Sequence, residues 1–124
     1  MFTIDYKSRV PLYQQIVDNV EKLTLRGLLL PEQQLPSVRA LAVELSINPN
    51  TIAKAYGELE AKGLIYSLPG RGSFVAEDPA KLRENARAQL GEEMSALRQE
   101  GYGMGFSDAE LDEIWQSSRE ECKR

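Results

Sequence analysis

Pro49 constrains this chain more than any other residue. Proline lacks the amide that a helix interior needs, yet suits the first helical position, where that amide would be unpaired anyway. It therefore divides residues 35–64, LPSVRALAVELSINPNTIAKAYGELEAKGL, into two short helices instead of one long one. Ahead of the break, Pro36 and Ser37 open the first helix. Ser37 is placed to cap its free amides, and Val38, Leu41, Ala42 and Leu45 fall on one face. Ser46 and Ile47 close the turn and Asn48 is the expected N-cap of the second helix, in which Ile52, Ala55, Tyr56 and Leu59 keep inward spacing. Gly63 is expected to end it in the left-handed conformation. Two short helices joined by a tight turn make a helix-turn-helix, whose second helix can lie in the major groove of DNA.

The segments on either side complete a winged helix. Residues 1–10 are expected to be extended or irregular, an arm or strand with Phe2 and Ile4 alternating and Tyr6 continuing the pattern. Pro11 suits a helix start, and Tyr13, Ile16, Val17, Val20 and Leu23 repeat at helical steps until Gly27, which predicts a support helix behind the motif. Leu28, Leu29 and Leu30 form an apolar connector, Pro31 and Glu32 a turn, and Leu35 is expected to add one residue of strand. After Gly63, residues 64–67 and 73–75 read as two short strands around Leu68-Pro69-Gly70-Arg71-Gly72, a turn with one cation at its tip. A hairpin directly after a recognition helix is a wing; an ordinary hairpin loop is the plainer alternative.

Beyond the polar break at residues 77–79, Leu82, Ala86, Leu90, Met94 and Leu97 keep one helical face apolar. Residues 101–105, GYGMG, are expected to form a turn. Ser107 and Glu110 have capping-box spacing, and Leu111, Ile114 and Trp115 follow on one face. A helical hairpin of this size cannot bury a core by itself. Its stripes need a partner, either a second copy of the hairpin or the chain's own winged helix. The expected fold is mainly α (α+β): a winged helix-turn-helix over residues 1–76, followed by a two-helix dimerisation hairpin over residues 77–124.

Charge and composition narrow the function classes. The chain has a formal charge of −4 and a pI near 4.9, which taken alone disfavours nucleic acid. Residues 1–76, however, carry 8 Lys/Arg against 7 Asp/Glu, and residues 77–124 carry 7 against 12, so the acidity belongs to the tail. Histidine is absent and Cys122 is the single cysteine, which argues against metal sites, cofactors and histidine-based catalysis. Neither an activated-nucleophile motif nor a phosphate-cradling glycine loop is present, so an enzyme is not expected. A lone cysteine, no apolar run of bilayer length and no secretory signal at the start lead to an expectation of a cytoplasmic protein without membrane partners.

At LPSVRALA, NPNTIAKAYGELEAKGLI and GRGSFV the sequence resembles the GntR family of bacterial transcription regulators, over residues 10–76. The combination, in this order and spacing, is far more specific than a bare helix-turn-helix pattern. The Asn-Pro-Asn-Thr helix start and the two-helix tail are most similar to the short YtrA-type subfamily. The resemblance implies a dimeric DNA-binding protein, often a repressor, whose tail dimerises; members of that subfamily often control nearby ABC-transporter operons. Two positions depart from the family pattern. Pro31 and Glu32 stand where Pro-Gly is frequent, and Pro49 and Asn50 stand where many relatives carry an arginine. Larger members bind small acids or sugars in a long C-terminal domain. This tail is too short for that, and an effector is left unassigned.

DNA binding needs groups that hold phosphates and groups that read base edges. Arg39, in the first turn of the first motif helix, matches the family's arginine in Leu-Pro-Ser-x-Arg and is the leading candidate; its plainer alternative is a solvated charge or an internal ion pair. Ser37 and the amides around it can hold a phosphate. Asn50 can pair with an adenine edge, Thr51 with a phosphate or thymine methyl, and Lys54 with a phosphate or guanine. Arg71 can enter the minor groove or rest on backbone. Lys62 and Tyr66 are weaker candidates, Tyr56 reads as core, and Asn48 as a cap. Leu82, Leu90, Met94, Leu97, Leu111, Ile114 and Trp115 are assigned to dimerisation. The competing function is a winged helix used only for protein–protein association.

Overall fold

The computed structural model describes residues 2–123; Met1 and Arg124 lie outside the described residues, and with Met1 the first position of the expected arm. The helix breaks fall where the chemistry requires. Helix α2 (Val38–Leu45) is capped by Ser37, whose Oγ accepts from the Ala40 amide at 3.0 Å. It ends at Ser46, which takes a left-handed φ of 54°. Helix α3 (Pro49–Ala61) starts on Pro49, with Asn48 Oδ1 accepting from the Asn50 amide at 2.8 Å. Gly63, at φ +77°, turns the chain out of α3.

Behind the motif lies α1 (Leu12–Leu25), which packs against α3, as does α2. Ile16, Val17 and Val20 of α1, Leu41 and Ala42 of α2, and Ile52, Ala55, Tyr56 and Leu59 of α3 form the core, closed by Leu29, Leu35, Ile47, Ile65 and Val75. Burying each larger aliphatic side chain contributes about 1.5–3 kcal/mol, so this cluster dominates the fold's stability. The Tyr56 hydroxyl, buried among these groups, donates to the Pro36 carbonyl at 2.7 Å. Burial first, then the charge of Glu44, pushes its pKa up to about 12.

Strands β1 (Ile65–Leu68) and β2 (Gly72–Val75) pair antiparallel, with Ile65 opposite Val75 and Leu68 opposite Gly72. The extra strand residue expected at Leu35 falls instead at Gln34, which bridges Phe74. Leu35 still donates its amide to the Ser73 carbonyl at 2.9 Å while its side chain enters the core. The N-terminal segment forms an arm without strand structure. Through its side-chain amide Asn19 exchanges a pair of hydrogen bonds with the backbone of Thr3, and Gln15 does the same with Asp5. Four residues of helix rise about 6 Å and two residues of extended chain about 6.6 Å, so the two side chains match the arm's repeat. Phe2 and Ile4 thereby pack on the core. Tyr6 departs from the pattern: it is exposed, and its hydroxyl donates to the Leu45 carbonyl at the end of α2.

By its internal contacts the chain divides into Met1–Arg83 and Glu84–Arg124. Helix α4 (Ala80–Gly103) and helix α5 (Asp108–Cys122) make up the tail. The turn expected over residues 101–105 does not form over that whole stretch. The helix continues through Gly103, and the chain reverses only at Met104 and Gly105, the latter at φ +91°. Gly101 acts as a spacer and not a breaker: a Cβ there would lie 2.5 Å from Leu111 Cδ2, so its absence lets α5 approach α4. The capping box at Ser107 and Glu110 is complete in both directions. Arg98 bridges the two helices, with Asp108 and Asp112 each at 3.1 Å and its Nε donating to the Tyr102 hydroxyl at 3.0 Å. Tyr102 and Arg98 together hold the Asp108 carboxyl below the usual carboxylate range. Leu90, Met94, Leu97, Ile114 and Trp115 remain about half exposed or more. Leu82 and Leu111 are half-buried. Among the described residues, no helix is long and apolar enough to cross a membrane.

Candidate nucleic-acid interface

Helix α3 buries one face in the core, which leaves Asn50, Ala53, Lys54 and Gly57 exposed and Thr51 half-buried on the other. Ala53 and Gly57 carry no polar group by which sequence alone could mark them. Their effect is steric: nothing stands within 4 Å of the missing Gly57 side chain, so a surface could approach α3 closely there. Asn50 follows from local structure, since Asn48 and Pro49 spend their own groups on starting the helix.

Lys54 is not free on this face. Its Nζ stands 3.9 Å from the centre of the Tyr13 ring of α1, a cation–π contact the sequence could not show. Arg39 is exposed in the first turn of α2, and Arg71 is exposed in the β1–β2 loop. No salt bridge among the described residues engages either one, which disfavours the internal ion pair weighed for Arg39. Ser37 has its Oγ lone pair occupied as a cap, leaving its hydroxyl proton and the first α2 amides for an outside acceptor.

An open groove of about 530 Å³ brings Ser37 together with Arg71; Gln34, Pro69 and Ser73 also line it. The loop above it turns at Pro69 and Gly70, the latter at φ +76°, and Arg71 donates its amide to the Leu68 carbonyl at 2.9 Å. That is the Pro-Gly chemistry of a type II turn. The two weaker candidates are engaged internally. Lys62 pairs with Glu21 of α1 at 3.3 Å, and Tyr66 stacks on Phe74 with ring centres 5.5 Å apart. Gln34, invisible as a candidate in sequence, donates its Nε2 to the Arg71 carbonyl at 2.9 Å.

Comparisons with known proteins agree with this geometry. Residues 12–75 match the family described as "Bacterial regulatory proteins, gntR family". The HTH-type transcriptional repressor YtrA of Bacillus subtilis is 41% identical over 98 residues, covering 78% of this chain and 75% of that protein. A transcriptional regulator from Oenococcus oeni superposes with a TM-score of 0.81 at 32% identity, covering 94% of this chain and 98% of the other. The AraR DNA-binding domain, solved in complex with operator ORE1, superposes with a TM-score of 0.53 at 32% identity over 61% of this chain and 93% of its own. These likenesses favour DNA binding over a module for protein association alone. With the family match running from the first support helix through the wing, and the two exposed arginines set on the motif it describes, the chain belongs to the GntR family of bacterial regulatory proteins and is a DNA-binding transcriptional regulator.

Proposed function

We propose that this regulator is a cytoplasmic repressor that binds a palindromic operator as a homodimer. In this reading residues 1–76 hold the DNA and residues 77–124 pair with a second copy. The observation that carries the DNA assignment is the exposure of Arg39 and Arg71 beside a recognition helix whose outer face is small and polar. Asn50 and Thr51 read bases from the start of α3. Ser37, Arg39 and Lys54 hold phosphates or base edges, and Arg71 reaches the adjoining groove from the wing. The pairing is supported by the exposure of Leu90, Met94, Leu97, Ile114 and Trp115, and the half-buried Leu82 and Leu111 are assigned to the same seam. The likeness to YtrA supports repression, and a transporter operon is the proposed target. A twofold dimer places its half-sites about one helical turn apart.

Selection of bound fragments from genomic DNA tests this reading, and the expected result is one enriched palindrome. On the selected duplex, Arg39→Ala should weaken binding by about 1–3 kcal/mol if it reads a base. If it holds a phosphate, the loss is accompanied by a salt slope shallower by about one. Absence of any enriched motif would remove the proposal, and unchanged affinity of Arg39→Ala on a selected duplex would remove the role given to Arg39.

A further inference from the structure

We infer that Gln34 is a positioning residue for the wing: its side-chain amide sets the place of Arg71 relative to the start of α2. The inference rests on the reading of Arg71 as a DNA contact, and adds a residue that does not itself need to touch the duplex.

Three observations converge on it. The first is how firmly Gln34 is held. Val75 donates its amide to Gln33 and Leu35 donates to Ser73, both at 2.9 Å, so the backbone on either side of Gln34 is bonded to β2. The second is what Gln34 holds. Its Nε2 donates to the Arg71 carbonyl at 2.9 Å, beyond the last strand pair, Leu68 opposite Gly72. Apart from that contact, the tip is closed by the single turn bond from the Arg71 amide to Leu68. The third is the space left for it. Gly72 has φ +116°, a conformation side chains rarely adopt, and a Cβ there would stand 3.0 Å from Gln34 Nε2. Bare backbone at Gly72 admits the amide to the tip.

Gln34 also stands three residues before Ser37, the cap of α2, and the same groove is lined by Gln34, Ser37 and Arg71. One side chain therefore registers the wing cation against the helix start that carries Arg39. A tip arginine on a loosely held loop must be ordered when DNA binds, which opposes association; a tip held in advance avoids that loss.

The test uses the full-length chain with Gln34→Met, which keeps the length of the side chain and removes the donor, and with Gln34→Ala. Without DNA, backbone amide relaxation should show Arg71 and Gly72 becoming mobile in both variants while the α2 and α3 amides stay rigid. Affinity is then measured on a duplex selected by the parent protein from a random-sequence pool. The expected result is a several-fold loss in Gln34→Met that disappears when Arg71→Ala is already present. Arg71 and Gly72 amides as rigid in Gln34→Met as in the parent would overturn the inference, and so would an equal loss in both Arg71 backgrounds. If Arg71→Ala alone leaves affinity unchanged, the DNA role of Arg71 fails, and the relaxation measurement alone then decides whether Gln34 holds the tip.

Discussion

Glu32 sits at φ +65°, in the region where a side chain is strained and glycine is not. The Pro31-Glu32 turn thus keeps the left-handed shape of the Pro-Gly pair frequent in the family, with Gln33 donating its amide to Leu30 at 3.1 Å. A left-handed residue with a side chain costs about 1–2 kcal/mol, while glycine costs about 0.5–1 kcal/mol in chain entropy. Glu32→Gly should therefore raise stability by about 0.5–1 kcal/mol in chemical denaturation, leaving DNA affinity unchanged. Lys54 gives a second prediction at this scale. If its place over Tyr13 contributes the usual 0.5–1 kcal/mol of an exposed cation–π contact, Lys54→Met destabilises the free protein by about that much. The same change in a Tyr13→Leu background should cost nothing, and a double-mutant cycle of denaturation midpoints measures the difference.

Among the elements, the tail hairpin departs most from what its composition suggests. Three glycines in five residues, at 101, 103 and 105, look like a turn, yet only Gly105 has a positive φ. Gly101 lies inside α4 because its missing Cβ makes room for Leu111. Alanine would improve helix propensity there by about 1 kcal/mol, against about 1–3 kcal/mol for overpacking. Gly101→Ala should lower the thermal midpoint modestly, by about 1 kcal/mol in stability. Measured in a Leu111→Ala background, the same Gly101→Ala change should cost less, because the clash is gone. Circular dichroism of the full chain reads both.

For the whole molecule, the decisive matter is the half-exposed row on the tail. Leu97 is 67% exposed, so in an isolated chain Leu97→Glu should change stability by no more than about 0.5 kcal/mol. If the row is the proposed seam between two copies, the same change buries a charge at it. Sedimentation at micromolar concentration should then show the parent as a dimer and the variant as a monomer, with weaker and more concentration-dependent operator binding. A variant that stays dimeric would move the seam elsewhere.

The order of elements and the points where they begin were legible from local chemistry, because they depend on neighbouring residues. Pro49 cannot continue a helix, Ser37, Asn48 and Ser107 carry oxygens at capping distance from their own chain, and the core residues of α1 and α3 repeat at helical steps. The exposure of Asn50 was legible because the helical period turns it away from the core, that of Arg71 because a turn cluster places it at a hairpin tip, and Arg39 because it matches the family's arginine in Leu-Pro-Ser-x-Arg. Packing set what depends on residues far apart in the chain. The hold of Gln34 on Arg71, the placing of Lys54 over Tyr13, the amide ladder from Asn19 and Gln15 to the arm, and the spacing role of Gly101 all join positions whose separation no local period encodes. Such contacts exist only once packing has fixed where the backbones pass each other.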